Sequence, residues 1–335
     1  MNPYIAQVRQ SSSLRLEALV AHLDTAADLV AEKACVYATG SFGRLEAGPY
    51  SDLDLFIVIK SNRRTDRFGR ERFENLLGGI DEIKLKYRLI DAVEKNNIAE
   101  FDGDGKYLDS HRFEDFTRWL GSRDDDYRNT LTGRLLLLLE SKVLLGRGVY
   151  DSLIESVIKE YFKDFSENRE AFIPAFLLND ILRLWRTFCV NYEFNRKNVG
   201  VHDKVKNLKL KYTRMLTCYS AVAYLLSQYV QGGAVAPADV RRMVLLTPTE
   251  RLEAVYRELA DDSVAATLLA ELLNDYGTFL GLAHRQKLEL EETFAQNEAK
   301  WKSFSYDFGR KLSRLLGEIN ALAADRNVFF RMIQI

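Results

Sequence analysis

The chain has 335 residues, with 47 basic and 48 acidic side chains and a formal net charge of −1, so global charge argues for neither a nucleic-acid nor a membrane partner. Hydrophobic content of 47% and charged content of 28% are those of a soluble globular protein, and the length suits two domains better than one core. The longest leucine run, at residues 135–139, is too short to span a bilayer, and the N-terminus lacks a basic region followed by an apolar run. Cys35, Cys189 and Cys218 form no C-x-x-C pair and read as reduced thiols in apolar surroundings. These features point to a cytoplasmic protein with no membrane association.

Taken in chain order, Leu14, Leu16, Leu19, Val20, Leu23, Ala27 and Leu29 recur at helical spacing, with the serines at 11–13 placed to cap a helix over 14–31. "ACVYATG" reads as a short strand ending in glycine. "DLDLFIVIK" is the clearest strand, a continuous apolar run after a Gly-Pro-Tyr-Ser turn. "SNRRTDRFGRER" reads as a basic connection running into a helix through Leu77. "IKLKYRLIDAV" alternates like a strand, although "DAVEKNN" begins a helix equally well. "EFDGDGKYLDSH" carries an Asp-Gly turn and a short strand. From "FEDFTRWLG" onward the pattern is helical, including all of "NTLTGRLLLLLESKVLLG", with breaks at Gly121, Gly146, Gly148 and "VQGGAVAPADV". The expected organisation is an α/β domain over 1–148 and an all-helical domain over 149–335.

The chemistry concentrates in "YATGSFGRLEAGPYSDLDLFIVIK". Asp52 and Asp54 stand two apart on a predicted strand, so both carboxylates point to one face. Like charges held side by side favour a cation between them, and Mg²⁺ accepts one or two carboxylates while keeping positions for water and phosphate oxygens. Upstream, Gly40 and Gly43 permit close backbone approach, Ser41 offers a hydroxyl and an N–H, and Arg44 adds a planar cation suited to phosphate. Ser51 stands where it can orient the acids. Either half alone is common; both in this order specify phosphoryl or nucleotidyl transfer.

This stretch resembles the nucleotidyltransferase superfamily named after DNA polymerase β, whose signature is Gly-Ser, a spacer and Asp-x-Asp on a strand. The longer pattern through Gly40, Ser41, Gly43, Arg44, Glu46, Ser51, Asp52 and Asp54 looks most like the bacterial regulatory branch, which includes the uridylyltransferase of the PII nitrogen-signalling protein. The strong likeness covers residues 37–59. It implies a nucleotidyltransferase core with a mixed sheet and flanking helices, followed by a helical domain. It also implies that the Gly-Ser turn holds the β- and γ-phosphates of a nucleoside triphosphate such as ATP. Asp52 and Asp54 would hold two Mg²⁺ ions, or Mn²⁺ in their place, while an acceptor hydroxyl attacks the α-phosphate and pyrophosphate leaves. A third carboxylate on a neighbouring strand is expected. Asp109 in "KYLDSH" is the first choice, with Glu100 and Asp91 as the other candidates.

In the helical half, Asn179, Arg183 and Arg186 share one helical side, and Arg183 is a candidate contact to triphosphate or acceptor. "KNVGVHDKVKNLKLKYTRML" is the most basic stretch, and the resemblance makes Lys209 and Arg214 candidates for holding the nucleotide. The amphipathic C-terminal stretch reads as a packing or homo-oligomer helix. There is no Walker A motif, and His22, His111, His202 and His284 form no zinc pattern. The sequence leaves the acceptor open among a protein, an RNA and a small molecule. Two other readings remain: an inactive nucleotide-sensing or protein-interaction module, and a serine hydrolase using Ser41, since "TGSFG" nearly matches G-x-S-x-G.

Overall fold

Two strands, β1 (Ala34–Ala38) and β2 (Leu55–Ile59), are buried at every position, as their continuous apolar runs require. The computed structural model of the chain describes residues 2–65, 68–69, 71–101, 108–196, 200–325 and 327–333. The chain divides into two compact units, one of residues 8–160 and one of residues 1–7 with 161–335. The boundary expected at residue 148 falls inside a helix, Arg147–Tyr161.

In the first unit the elements run α1 (Pro3–Ala21, entering from residue 8), α2 (Asp24–Val30), β1, the single turn α3 (Gly40–Gly43), β2, β3 (Ser61–Thr65), β4 (Glu71–Asn75) and α4 (Gly79–Lys95). They continue with β5 (Ser110–Arg112), α5 (Asp115–Arg118), α6 (Arg123–Tyr127), α7 (Thr130–Leu139), β6 (Lys142–Leu145) and α8 (Arg147–Tyr161). The main sheet has strand order β5-β2-β1-β6. β1 lies antiparallel to β2 (Ala38 opposite Leu55) and to β6, with a register shift between Val36 and Tyr37. β2 and β5 are parallel, Ile57 standing beside Ser110, so the sheet is mixed. One face of the sheet (Val36, Ala38, Leu55, Ile57) packs with Leu19, Leu23 and Val30 and with Leu85 and Leu89 of α4 in one core. On the other face Tyr37 stacks on Phe56 at 5.4 Å and meets Tyr150 of α8 at 5.7 Å.

Several elements differ from their sequence expectation. The three serines lie inside α1 and cap nothing; Ser12 is fully buried and its hydroxyl accepts the Ala47 N–H at 3.2 Å. Among the described residues the stretch after β2 forms no helix. There β3 pairs antiparallel with β4, and Arg118 of α5 sits 4.9 Å from the Phe73 ring. The ambiguous "IKLKYRLIDAV" is helical, because Leu85, Leu89, Ala92 and Val93 bury one side of α4. "KVLL" is the strand β6, paired with β1, although its leucines continue a helical run. Of the strand expected before Asp109, residues 106 and 107 lie outside the described residues and β5 begins at Ser110.

The second unit is helical: α9 (Ala175–Asn195), α10 (Val201–Lys209), a π-helical turn (Leu210–Arg214) and α11 (Met215–Gly232), then α12 (Pro237–Leu245), α13 (Pro248–Glu258), α14 (Val264–Ala283), α15 (Lys287–Gln296), α16 (Glu298–Ala321) and α17 (Val328–Ile333). α11 is its central helix, packed against α9, α12, α13 and α16. Among the described residues no helix is long and apolar enough to cross a membrane.

Candidate active site

The candidate site starts where β1 ends. Thr39 is extended and donates its N–H to the Asp54 carbonyl at 2.8 Å, which ties the turn to the approach of β2. Gly40 then takes φ +61, a conformation that favours glycine. A Cβ at Gly40 would collide with the Asp54 carboxylate, so that carboxylate rests directly against the turn. The first internal bond of α3 runs from the Gly43 N–H to the Thr39 carbonyl at 3.0 Å, leaving the N–H groups of Gly40, Ser41 and Phe42 ahead of it. Gly43 is required for a different reason: a Cβ there would strike the Glu140 and Ala38 carbonyls.

Asp52, Leu53 and Asp54 precede β2 and do not belong to it. Leu53 is 1% exposed and in the core, while Asp52 and Asp54 on either side are half-buried, the alternation of an extended segment. Asp52 forms an isolated parallel bridge with Ala99. This bridge places the residue before Glu100 beside the first acid, although Glu100 itself is exposed. Asp109 is exposed and immediately precedes β5, where the β2–β5 register carries it to the level of Phe56, two residues past Asp54. Asp91 lies on α4 and pairs with Lys95 at 2.8 Å. Among the described residues no group of three or more His, Cys, Asp or Glu side chains gathers as a metal cluster. The structure therefore seats Asp54 on the turn, with Asp52 two residues before it on the same extended segment, and among the described residues draws Asp109 into no three-acid group.

Arg44 has a different environment from the one its motif suggests. Its guanidinium donates to Glu46 and to Glu140, each at 2.8 Å, with side-chain exposures of 7%, 3% and 0% for Arg44, Glu46 and Glu140. Leu45 between the first two adopts φ +55, an uncommon conformation for a leucine, and thereby turns Arg44 and Glu46 toward each other. Glu140 comes from the end of α7 and closes the back of the turn through both its carboxylate and its carbonyl. The signal for it is legible in retrospect: a single acid ending a run of five leucines has to be paired.

Two further residues on α1 support the turn and carry no motif. Ser12 holds Ala47, and Arg15 donates to the Gly48 carbonyl while lying 5.0 Å from the Phe42 ring. Cys35 of β1 is fully buried, and that burial pushes its thiol up to about 12, a rise that Lys60 partly offsets and to which Asp151 adds. No histidine is hydrogen-bonded to Ser41 among the described residues: His22 bonds to Ala18 and Asn96, and His111 lies between the Phe56 and Phe116 rings.

Arg183, Lys209 and Arg214 all belong to the helical unit. Arg183 pairs with Asp180 at 3.5 Å, Lys209 ends α10, and Arg214 ends the π-helical turn with its guanidinium 5.0 Å from the Phe188 ring.

A turn with glycine at positive φ, a carboxylate seated on it and a second acid two residues away is what a comparison with known families has to explain. Residues 21–118 match the family model for the nucleotidyltransferase domain. The matched stretch runs from the end of α1 to the end of α5 and includes the turn and both acids. Ser12, Arg15 and Glu140 lie outside it and complete the same fold. No curated protein and no solved structure matches the chain.

Proposed function

We propose that the chain is a metal-dependent nucleotidyltransferase that moves a nucleoside monophosphate from a triphosphate to an acceptor hydroxyl. The observation that carries this reading is the seating of the Asp54 carboxylate against Gly40, with the N–H groups of Gly40, Ser41 and Phe42 opening the same turn. Those N–H groups and the Ser41 hydroxyl suit phosphate oxygens. Asp52 and Asp54 suit Mg²⁺, which takes one or two carboxylates and completes its shell with water and phosphate oxygens. A two-acid platform thus fits a metal shared with the triphosphate; when bound, the ion supplies Lewis-acid neutralisation of phosphate charge. Asp109 is the acid we assign to the acceptor side, on the strength of its place at the head of the strand next to β2. We assign Arg44 to holding the turn in shape, since two buried carboxylates already take its guanidinium. Arg183, Lys209 and Arg214 are proposed contacts to nucleotide or acceptor from the helical unit. The fuller motif through Arg44, Glu46 and Ser51 favours a cytoplasmic enzyme of the bacterial regulatory type, with a protein, RNA or small-molecule acceptor. A serine hydrolase is disfavoured because Ser41 has no histidine partner among the described residues.

The test is incubation with each labelled nucleoside triphosphate, Mg²⁺ and cell lysate, beside an Asp52→Asn/Asp54→Asn control. Label is expected in one acceptor class, with a loss of at least about a hundredfold in the double variant. Equal labelling by the double variant, or none from any triphosphate, would sink the proposal.

A further inference from the structure

The helical unit contains a cavity of about 970 Å³ between α9, the π-helical turn, α11, α16 and α17. It shares no residue with the Gly-Ser turn or the acid pair. Its volume is at the upper end of what small-molecule sites use.

The electrostatics of this cavity are one-sided. Among the described residues Arg186, Arg196, Lys211 and Arg310 line it, with Glu193 the one acid beside them. Two of these cations are engaged, Arg196 with Glu193 at 2.9 Å and Arg310 with Asp307 at 3.1 Å. Arg186 makes no ion pair with a carboxylate among the described residues, and the Lys211 ammonium rests 3.6 Å from the centre of the Tyr306 ring. Trp185 and Tyr219, edge to face at 6.1 Å, add two more aromatic walls.

The backbone is shaped to the same end. π-Helical turns are rare and concentrate at functional sites. Here the wide turn keeps Tyr212 in the core, stacked 4.5 Å from Phe279 and tilted against Phe308 at 4.6 Å, while Leu210 and Lys211 line the cavity. Gly309, inside α16, is a third device. A glycine in a helix interior is unfavourable relative to alanine. Nothing crowds this one, since a Cβ would meet only Met215, at 3.7 Å. Close packing does not explain the glycine; the open space it leaves is part of the cavity.

We propose that this cavity binds a planar aromatic ring carrying an anionic group, the chemistry shared by nucleotides and aromatic carboxylates. The ring would lie among Trp185, Tyr219 and Tyr306, and the anion would meet Arg186 and Lys211. The proposal stands whether or not the chain transfers nucleotides.

Isothermal titration of the full chain in EDTA, with AMP in one arm and indole-3-acetate in the other, tests it and separates the two sources. Saturable binding of at least one ligand is expected, with ribose 5-phosphate, which has no ring, not binding. Arg186→Ala/Lys211→Met should weaken binding at least about tenfold, equivalent to about 1.4 kcal/mol. Gly309→Leu should weaken it similarly by filling the space, with an unchanged or higher melting temperature that shows the fold is intact. Asp52→Asn/Asp54→Asn should leave affinity unchanged. Absence of binding by both ligands, binding indifferent to the cavity variants, or binding lost with the acid pair would each overturn the assignment.

Discussion

Gly40 has almost no latitude. Its φ of +61 disfavours any side chain, and a Cβ would displace the Asp54 carboxylate. Gly40→Ala should therefore cost about 1–3 kcal/mol in urea unfolding and, by moving Asp54, at least about a hundredfold in label transfer. Arg44 makes the opposite point. Its motif suggests phosphate binding, yet its environment is a buried link between Glu46 and Glu140. Arg44→Met would leave two buried carboxylates without the guanidinium between them, a change of about 3–5 kcal/mol in the urea midpoint analysis. At this scale the motif residues were legible because glycine at a turn and paired acids are chemical requirements visible in one short stretch. Ser12 and Arg15 were not, because their roles depend on contacts made across many residues of chain, and Glu140 was marked only as the acid after five leucines, its partner hidden for the same reason.

Among the elements, the buried strands declared themselves through apolar runs bounded by turn residues, and β1 and β2 were readable for that reason. β6 was not: "KVLL" follows five leucines, and only its pairing with β1 distinguishes a strand from a continued helix. The β3–β4 hairpin was hidden in the same way, its alternation masked by arginines that are exposed on both strands. α7 is held in place by a buried pair, in which Arg134 donates to both oxygens of Asp125 at 2.9 and 2.7 Å. Burial acts to raise the Asp125 carboxyl, but hydrogen bonds from Arg134 and Thr130 and the Arg134 charge outweigh it and hold the group below its ordinary value. The folded state thus binds this proton less readily than the unfolded state. The resulting stabilisation is complete above the ordinary Asp range and is lost as pH falls through the depressed folded value. Asp125→Asn should remove that part of the acid dependence, which denaturation midpoints measured from pH 6 down to pH 2 would show as a flatter profile than wild type.

At the scale of the whole molecule, the nucleotidyltransferase domain match covers residues 21–118, whereas the compact unit that contains it spans residues 8–160. The difference is structural. β6 supplies one edge of the sheet, α7 covers the second face of β2 through Gly133 beside Phe56, and Glu140 closes the turn. A polypeptide cut at the limits of the family match would expose one long side of β1 to solvent and strand the Arg44 cation without its deepest counter-charge. Such a fragment should give collapsed amide dispersion in a proton–nitrogen correlation spectrum. On the ribosome, the same geometry means that the Gly40–Gly43 turn cannot set until the segment ending near residue 145 has cleared the exit tunnel, more than a hundred positions after the glycine that begins it.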